Sequence, residues 1–346
     1  MIKLGEIISV LRKNKIEFIS GVPDSLFKDL CFKFENAYKK NHIVAANEGS
    51  SIGLAIGYHL ATGKVPVVYL QNSGLGNTVN PLISLASSKV YKIPMILIIG
   101  WRGEILEDGT QLADEPQHKK QGEITLEQLN ILDIPFKVID KNTPDLNKVL
   151  FDTCSQAITR SGPVAIVVRK GTFSPFKYET KLTQNYPLCR EDAIEIIVDS
   201  IDKKSPIVST TGVASRELFE KRKEKKQGHE RDFLTVGGMG HASSIAAGIA
   251  LTLPNKKIIC IDGDGAALMH LGAMAICADC NNLIHFIINN EVHDSVGGQP
   301  TKGSVIDFSS VADNLGYSYT FSVETENELR NLATKIGNYN GSVLIT

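Results

Sequence analysis

The sequence predicts an α/β protein made of two tandem, doubly wound parallel-sheet domains. Three observations lead there. Its 346 residues exceed what one hydrophobic core ordinarily serves, at roughly 100–200 residues per domain. Short runs rich in Val and Ile alternate with helical patterns along the chain, as βαβ units require. Those runs are apolar throughout, which fits strands covered by helices on both faces.

The opening MIKLGEIISVLRKNK breaks its apolar residues with Glu6, Arg12 and Lys13, so it reads as an amphipathic helix. A secretory signal would need an uninterrupted apolar stretch instead. Strands are expected at 17–21, 42–45, 65–70, 95–100, 136–139 and 164–168, with helices such as 50–62 and 146–160 between them. The polar stretch 171–190 carries two prolines and no clear period, and reads as a linker between domains 1–170 and 191–346. Beyond it, strands are expected at 207–210, 233–236, 257–261, 284–288, 318–323 and 342–346. The run Lys221–Asp232 mixes both charge signs and reads as a solvated helix end or loop.

Composition excludes several classes. Hydrophobic residues are 42% and charged residues 22%, and 37 basic side chains nearly cancel 38 acidic ones. This balance gives no electrostatic reason to expect nucleic acid or an anionic membrane as partner. No window approaches the ~20 apolar residues of a membrane helix. Scattered cysteines fit reduced thiols and a cytoplasmic protein. Cys277 and Cys280 form one CxxC without a second ligand pair, and fall in the apolar stretch LMHLGAMAICADC, so they read as buried helix cysteines.

The most informative segment is IICIDGDGAALMHLGAMAICADCNNLIHFIINNEVHDS. It reads as strand, tight turn at Gly263-Asp264-Gly265, helix Ala266–Ala278, strand, then Asn289-Asn290. Asp264 leaves one strand and Asn290 the next, so adjacent parallel strands bring both side chains to one carboxyl edge, where open α/β sheets bind ligands. Glycines allow close approach of an anion, and a helix start offers it free N–H groups. Two protein oxygens, a loop carbonyl and diphosphate oxygens suit Mg²⁺. A dinucleotide fingerprint fails, because its third glycine would fall at Leu268, and likewise at Val79 for the Gly74-Leu75-Gly76 run. In the first half, Asn47-Glu48-Gly49-Ser50 follows a strand and opens a helix, which puts Glu48 at a strand's carboxyl end.

GDG followed by NN resembles the thiamin-diphosphate motif. The resemblance extends over nearly the whole chain: Gly21–Ser25, Asn47–Gly49, Gln71–Asn77, Arg102–Glu104, Asp114–His118, Thr211-Gly212 with Ser215–Leu218, Gly238–Ala242 and Asn289–Ser295. With no room for a third domain, the chain is similar to the short thiamin-diphosphate-dependent 2-keto acid decarboxylases that act on phosphonopyruvate or sulfopyruvate. In relatives the chain usually continues past the point matching Thr346.

The resemblance implies a pyrimidine-binding domain followed by a diphosphate-binding domain. It implies thiamin diphosphate and Mg²⁺ as cofactors, with Asp264, the Asn290 side chain and the Val292 carbonyl on the metal. Gly263, Gly265 and Ala266 would cradle the diphosphate. Glu48 would act on the aminopyrimidine ring, Gly237 would accept from its amino group, and Met239 would wedge the cofactor into a bent shape. His118, expected in a loop DEPQHKKQG, is the candidate for proton transfer, since imidazole titrates near working pH. Asp24, Ser25, Arg102, His293 and Asp294 are substrate candidates, with Arg102 ahead of Lys119 and Lys120 for the anionic group. The implied reaction converts 3-phosphonopyruvate to phosphonoacetaldehyde and CO₂ within phosphonate biosynthesis, by a homodimer or higher homo-oligomer with active sites between chains. Alternatives are the sulfonate substrate, a carboligating synthase, or a cofactor binder without catalysis.

Overall fold

Stretches such as Met95–Gly100 (MILIIG) and Pro163–Val168 (PVAIVV) are buried at every position, which only a strand with both faces covered achieves. The computed structural model describes residues 1–176 and 186–346; the central part of the expected linker, 177–185, lies outside them. The chain divides into two units, each carrying a six-stranded, all-parallel sheet.

In the first unit the strands are β1 (Ile19–Gly21), β2 (His42–Val44), β3 (Val67–Gln71), β4 (Met95–Gly100), β5 (Phe136–Ile139) and β6 (Pro163–Val168). The helices are α1 (Leu4–Lys13), α2 (Lys28–Tyr38), α3 (Glu48–Thr62), α4 (Leu75–Pro81), α5 (Pro116–Ile131) and α6 (Leu146–Arg160). Strand order is β2-β1-β3-β4-β6-β5. The chain reverses its winding between β1 and β3, the switch point where doubly wound sheets open a crevice. One core lies under α1, α2 and α6, and another on the opposite face includes Ile52, Leu75 and Trp101.

The second unit repeats this plan. Its strands are β7 (Ile207–Ser209), β8 (Asp232–Leu234), β9 (Ile258–Gly263), β10 (Leu283–Ile288), the short extended pieces β11 (Val292–His293) and β12 (Gln299–Pro300, whose first residue is grouped with the first unit), then β13 (Tyr319–Phe321) and β14 (Val343–Ile345). Its helices are α7 (Arg190–Ser200), α8 (Val213–Glu224), α9 (Ala242–Thr252), α10 (Asp264–Met269), α11 (Ala273–Ala278), α12 (Phe308–Leu315) and α13 (Glu326–Ile336). Sheet order is β13-β14-β10-β9-β7-β8. Read from the other edge, this matches the first sheet strand for strand: β7 takes the place of β1, β8 of β2, β9 of β3 and β10 of β4.

Four local expectations are corrected. The helix expected over 266–278 is two helices broken at His270–Gly272, and the first begins at Asp264 directly after β9, with no separate turn. Cys280 lies past the end of the second, although both cysteines of the CxxC are buried and free. His118 belongs to the first turn of α5, whose Pro116 sits where helices accept proline. Lys221 and Arg222 are buried rather than solvated: Lys221 pairs with Glu191 and Glu195 of α7, and Arg222 forks onto Asp232. Among the described residues no helix is long and apolar enough to cross a membrane.

Candidate active site

Four strands of the first sheet deliver polar side chains at their carboxyl ends. After β2, Asn47 caps α3 by accepting from the Ser50 N–H at 2.8 Å, which fixes Glu48 as the first helical residue. Glu48 is 7% exposed. Its Oε2 accepts from Asn77 Nδ2 at 2.7 Å. A side chain at Gly74 would push Glu48 out of position, because its Cβ would lie 2.5 Å from Glu48 Oε1. Burial raises the Glu48 carboxyl above its ordinary range, and the Asn77 hydrogen bond only partly opposes this. The buried carboxyl is thus harder to ionise than an exposed one, and Asn77 holds it in place.

Around the β1/β3 switch point a second group is interlocked. Asp24 is fully buried; its Oδ1 accepts from Gln71 Nε2 (2.8 Å) and the Leu26 N–H (3.2 Å), while its Oδ2 has no hydrogen-bond partner. Burial raises its carboxyl as well. Arg102, following β4, grips Asp114 through Nε (2.7 Å) and a second nitrogen, and donates to Ser25 Oγ at 2.8 Å. Its fork is therefore already committed to Asp114, a partner the motif contained without revealing its role. His118 is buried, and burial followed by the positive charge of Arg102 lowers its imidazole below the ordinary value. Among the described residues His118 Nδ1 has no hydrogen-bond partner. Lys119 and Lys120 are exposed, and Lys120 pairs with Glu123.

At the corresponding edge of the second sheet, β9 ends in Gly263 and Asp264 starts α10. Asp264 is 2% exposed. Its Oδ2 accepts from the Thr301 hydroxyl, which in turn accepts from the Gly303 N–H at 3.0 Å. Burial raises Asp264 to about 6 despite these bonds. Thr301 was not legible from the sequence, being 37 residues away on a segment without periodic pattern. After β10, Asn289 braces the loop, accepting from the Glu291 N–H (3.2 Å) and donating to the Gly303 carbonyl (3.0 Å). Asn290 Oδ1 accepts from the Val292 N–H at 3.2 Å across Glu291, which holds a left-handed φ of 63°. Gly265 is glycine for a visible reason: a Cβ would meet the His293 ring at 3.0 Å.

Asp264, Gly265, Ala266, Asn290 and Val292, with Gly263, Met239, His293 and Asp294, line one cleft of this unit, together with Thr210, Thr211 and Arg190. Gly237 lies in the loop after β8 and is not among the lining residues. Burial lowers His293 to about 4. Asp294 is held by Arg190 (3.0 Å), which also forks onto Glu217. No sequence signal had marked Arg190.

Comparison with known proteins decides the family. The N-terminal TPP binding domain of thiamine pyrophosphate enzymes matches residues 4–130, and their C-terminal TPP binding domain matches residues 211–346. A phosphonopyruvate decarboxylase of Streptomyces hygroscopicus is 32% identical over 335 residues, covering 92% of this chain and 80% of that protein. The chain belongs to the phosphonopyruvate decarboxylase family of thiamine pyrophosphate enzymes. A second member of that family, from Streptomyces viridochromogenes, is 30% identical over 92% of this chain and 81% of its own length. A sulfopyruvate decarboxylase of Methanosarcina acetivorans is 28% identical over 93% of this chain and 84% of its own length. Within this family the first unit carries the N-terminal domain and the second the C-terminal one.

Proposed function

We propose that the chain is a carboxy-lyase that converts 3-phosphonopyruvate to phosphonoacetaldehyde and CO₂ with thiamin diphosphate and Mg²⁺. The observation that carries this reading is the pair of buried carboxyl groups, Glu48 and Asp264, set at equivalent sheet edges in a chain similar to phosphonopyruvate decarboxylases over nine-tenths of its length. The proposed division is a pyrimidine domain 1–170, a linker 171–190 and a diphosphate domain 191–346, working in the cytoplasm within phosphonate biosynthesis.

The residues present fit the cofactor. Asp264 is a carboxylate in a low-dielectric site where, among the described residues, the side-chain hydrogen-bond donor is the Thr301 hydroxyl. An unpaired buried ion costs several kcal/mol, so a divalent cation is the partner its surroundings call for. Asn290 and Val292 would complete the protein share of a hard-oxygen shell. Gly263 leaves open space where a side chain would stand, as room for a diphosphate requires. When bound, thiamin diphosphate supplies the electron sink for loss of CO₂.

The chain's own groups do the rest. Glu48 would exchange a proton with the aminopyrimidine ring, its carboxyl raised by burial. Asn77 holds that carboxyl in one orientation. Met239 and Gly237 position the ring in the second unit. His118, its imidazole lowered by burial, would give or take a proton at the substrate oxygen. Ser25 and Arg102 would meet the anionic end of the keto acid, with Asp114 fixing the guanidinium plane; Asp24 at the first unit's edge, and His293 and Asp294 in the second unit's cleft, are the further substrate candidates. Homodimers or higher homo-oligomers with active sites between chains follow from the family reading. The exposed Leu54, Leu60, Ile83 and Leu85 on α3 and the segment after α4 support a covered face there.

The test is CO₂ release from 3-phosphonopyruvate, sulfopyruvate and pyruvate, with and without Mg²⁺ and thiamin diphosphate. Preference for phosphonopyruvate is expected, with no turnover when either cofactor is omitted. Preference for sulfopyruvate would support the second reading, favoured by the Methanosarcina relative, while a carbon–carbon bonded product seen by NMR would point to a synthase.

A further inference from the structure

The parallel register that lines up β9 and β10 places Cys260 directly beside His285, and Asp262 beside Ile287. Side chains alternate between faces along a strand. Cys260 and Asp262 therefore share a face with His285, in the layer packed under α9, α11 and α12. One sulfur, one carboxylate oxygen and one imidazole nitrogen all lie within 4.8 Å of one another there. All three residues are at most 1% exposed.

Hydrogen bonding around this group is lopsided. His285 Nε2 and Asp262 Oδ2 face each other at 3.7 Å, and among the described residues neither has a hydrogen-bond partner. Buried polar atoms are nearly always paired, so two orphans beside a thiol point to a common absent partner. The outward atoms, by contrast, are held: His285 Nδ1 bonds to the Tyr317 hydroxyl (3.1 Å), and Asp262 Oδ1 accepts from the Gly263 N–H (3.1 Å). Outer partners of this kind fix the ring and carboxylate of a metal's ligands.

We propose that Cys260, Asp262 and His285 bind a divalent transition metal of the zinc class, which clamps β9 to β10 beneath the cleft. Metal–ligand bonds of about 2.0–2.3 Å place tetrahedral ligand atoms roughly 3.3–3.8 Å apart, so only a small contraction of the group is needed. Sulfur and imidazole donors favour zinc over Mg²⁺, whereas the Asp264 and Asn290 oxygens favour the reverse. Asp262 lines the open cleft, which offers the ion an entry path and a water as fourth ligand. The two strands so joined are those that present Asp264 and Asn290.

The experiment uses the full chain, free of thiamin diphosphate and Mg²⁺, equilibrated with Zn²⁺ or Co²⁺ and freed of excess metal. Elemental analysis is expected to find about one zinc per chain. The Co²⁺ form is expected to show thiolate-to-cobalt charge transfer and the strong visible bands of a tetrahedral site. Cys260→Ser should remove the charge transfer, His285→Ala should remove the metal, and Asp264→Ala should retain it. If Cys260→Ser does not fold, Cys189→Ser tests the assignment instead: charge transfer should survive replacement of this exposed thiol, and its loss would overturn the proposal. Wild-type protein that retains no zinc and shows no charge transfer overturns the proposal and leaves a plain Asp262–His285 pair. So does charge transfer that survives Cys260→Ser, or metal that is lost with Asp264→Ala.

Discussion

The two sheets share one strand order yet arm their carboxyl edges differently. In the first unit Asp24, Glu48 and Arg102 follow β1, β2 and β4 and Gln71 ends β3; Gln71 donates to Asp24, Asn77 donates to Glu48, and Arg102 forks onto Asp114. In the second, the positions after β9 and β10 carry Asp264 and Asn290, fixed chiefly by one hydroxyl and by turns of the backbone. The lesson is that topology sets where chemistry can be placed, while the residues following each strand set what it is. A proton-handling edge needs carboxyl groups held in place by neighbours. A cation-binding edge needs oxygens left free for the ion.

The contrast can be broken one edge at a time. The largest effect is expected from Glu48→Gln, which keeps the shape and removes the proton. Turnover should fall by about 10³-fold, with cofactor affinity by calorimetry changed little; near-wild-type turnover would remove Glu48 from proton transfer. Next comes Asp264→Ala, which should lower Mg²⁺-dependent affinity for thiamin diphosphate by about 10²-fold or more. Unchanged affinity would sever this residue from the metal.

A smaller effect sharpens the first edge. Arg102 lowers the His118 imidazole and Asp114 raises it, so Arg102→Ala removes the depressing charge and leaves the carboxylate bare. Both changes act upward. The His118 titration followed by NMR should move towards or above the ordinary value, and the acid limb of kcat/KM should move up in pH with it. In the wild type that limb should lie below about 6.5, because burial keeps the imidazole neutral to lower pH. A His118 titration indifferent to Arg102→Ala would separate the two residues.

Strands were legible because buried parallel strands write themselves as unbroken Val and Ile runs, and the expected limits lie within a few residues of those found. The broken helix was not: LMHLGAMAICADC keeps an apolar pattern through His270–Gly272, where the backbone nevertheless leaves the helix. His118 was misassigned to a loop because the acidic and proline residues before it also mark a helix start. Lys221 and Arg222 looked like solvent-facing charges because their partners, on α7 and at the start of β8, are invisible to local pattern. The sheet-edge positions of Glu48, Asp264 and Asn290 were legible from the strands that precede them. Thr301, Arg190 and the Asp114 clamp were not, since long-range side-chain bonds leave no spacing to read.

The central claim is that the first edge moves protons and the second holds the cofactor. Exchange of the C2 hydrogen of bound thiamin diphosphate with deuterated solvent, followed by NMR after acid quench, tests it most directly. The account predicts fast exchange in the wild type and exchange slowed by about 10²-fold or more in Glu48→Gln at full cofactor occupancy. Wild-type exchange in the fully loaded Glu48→Gln protein would contradict it.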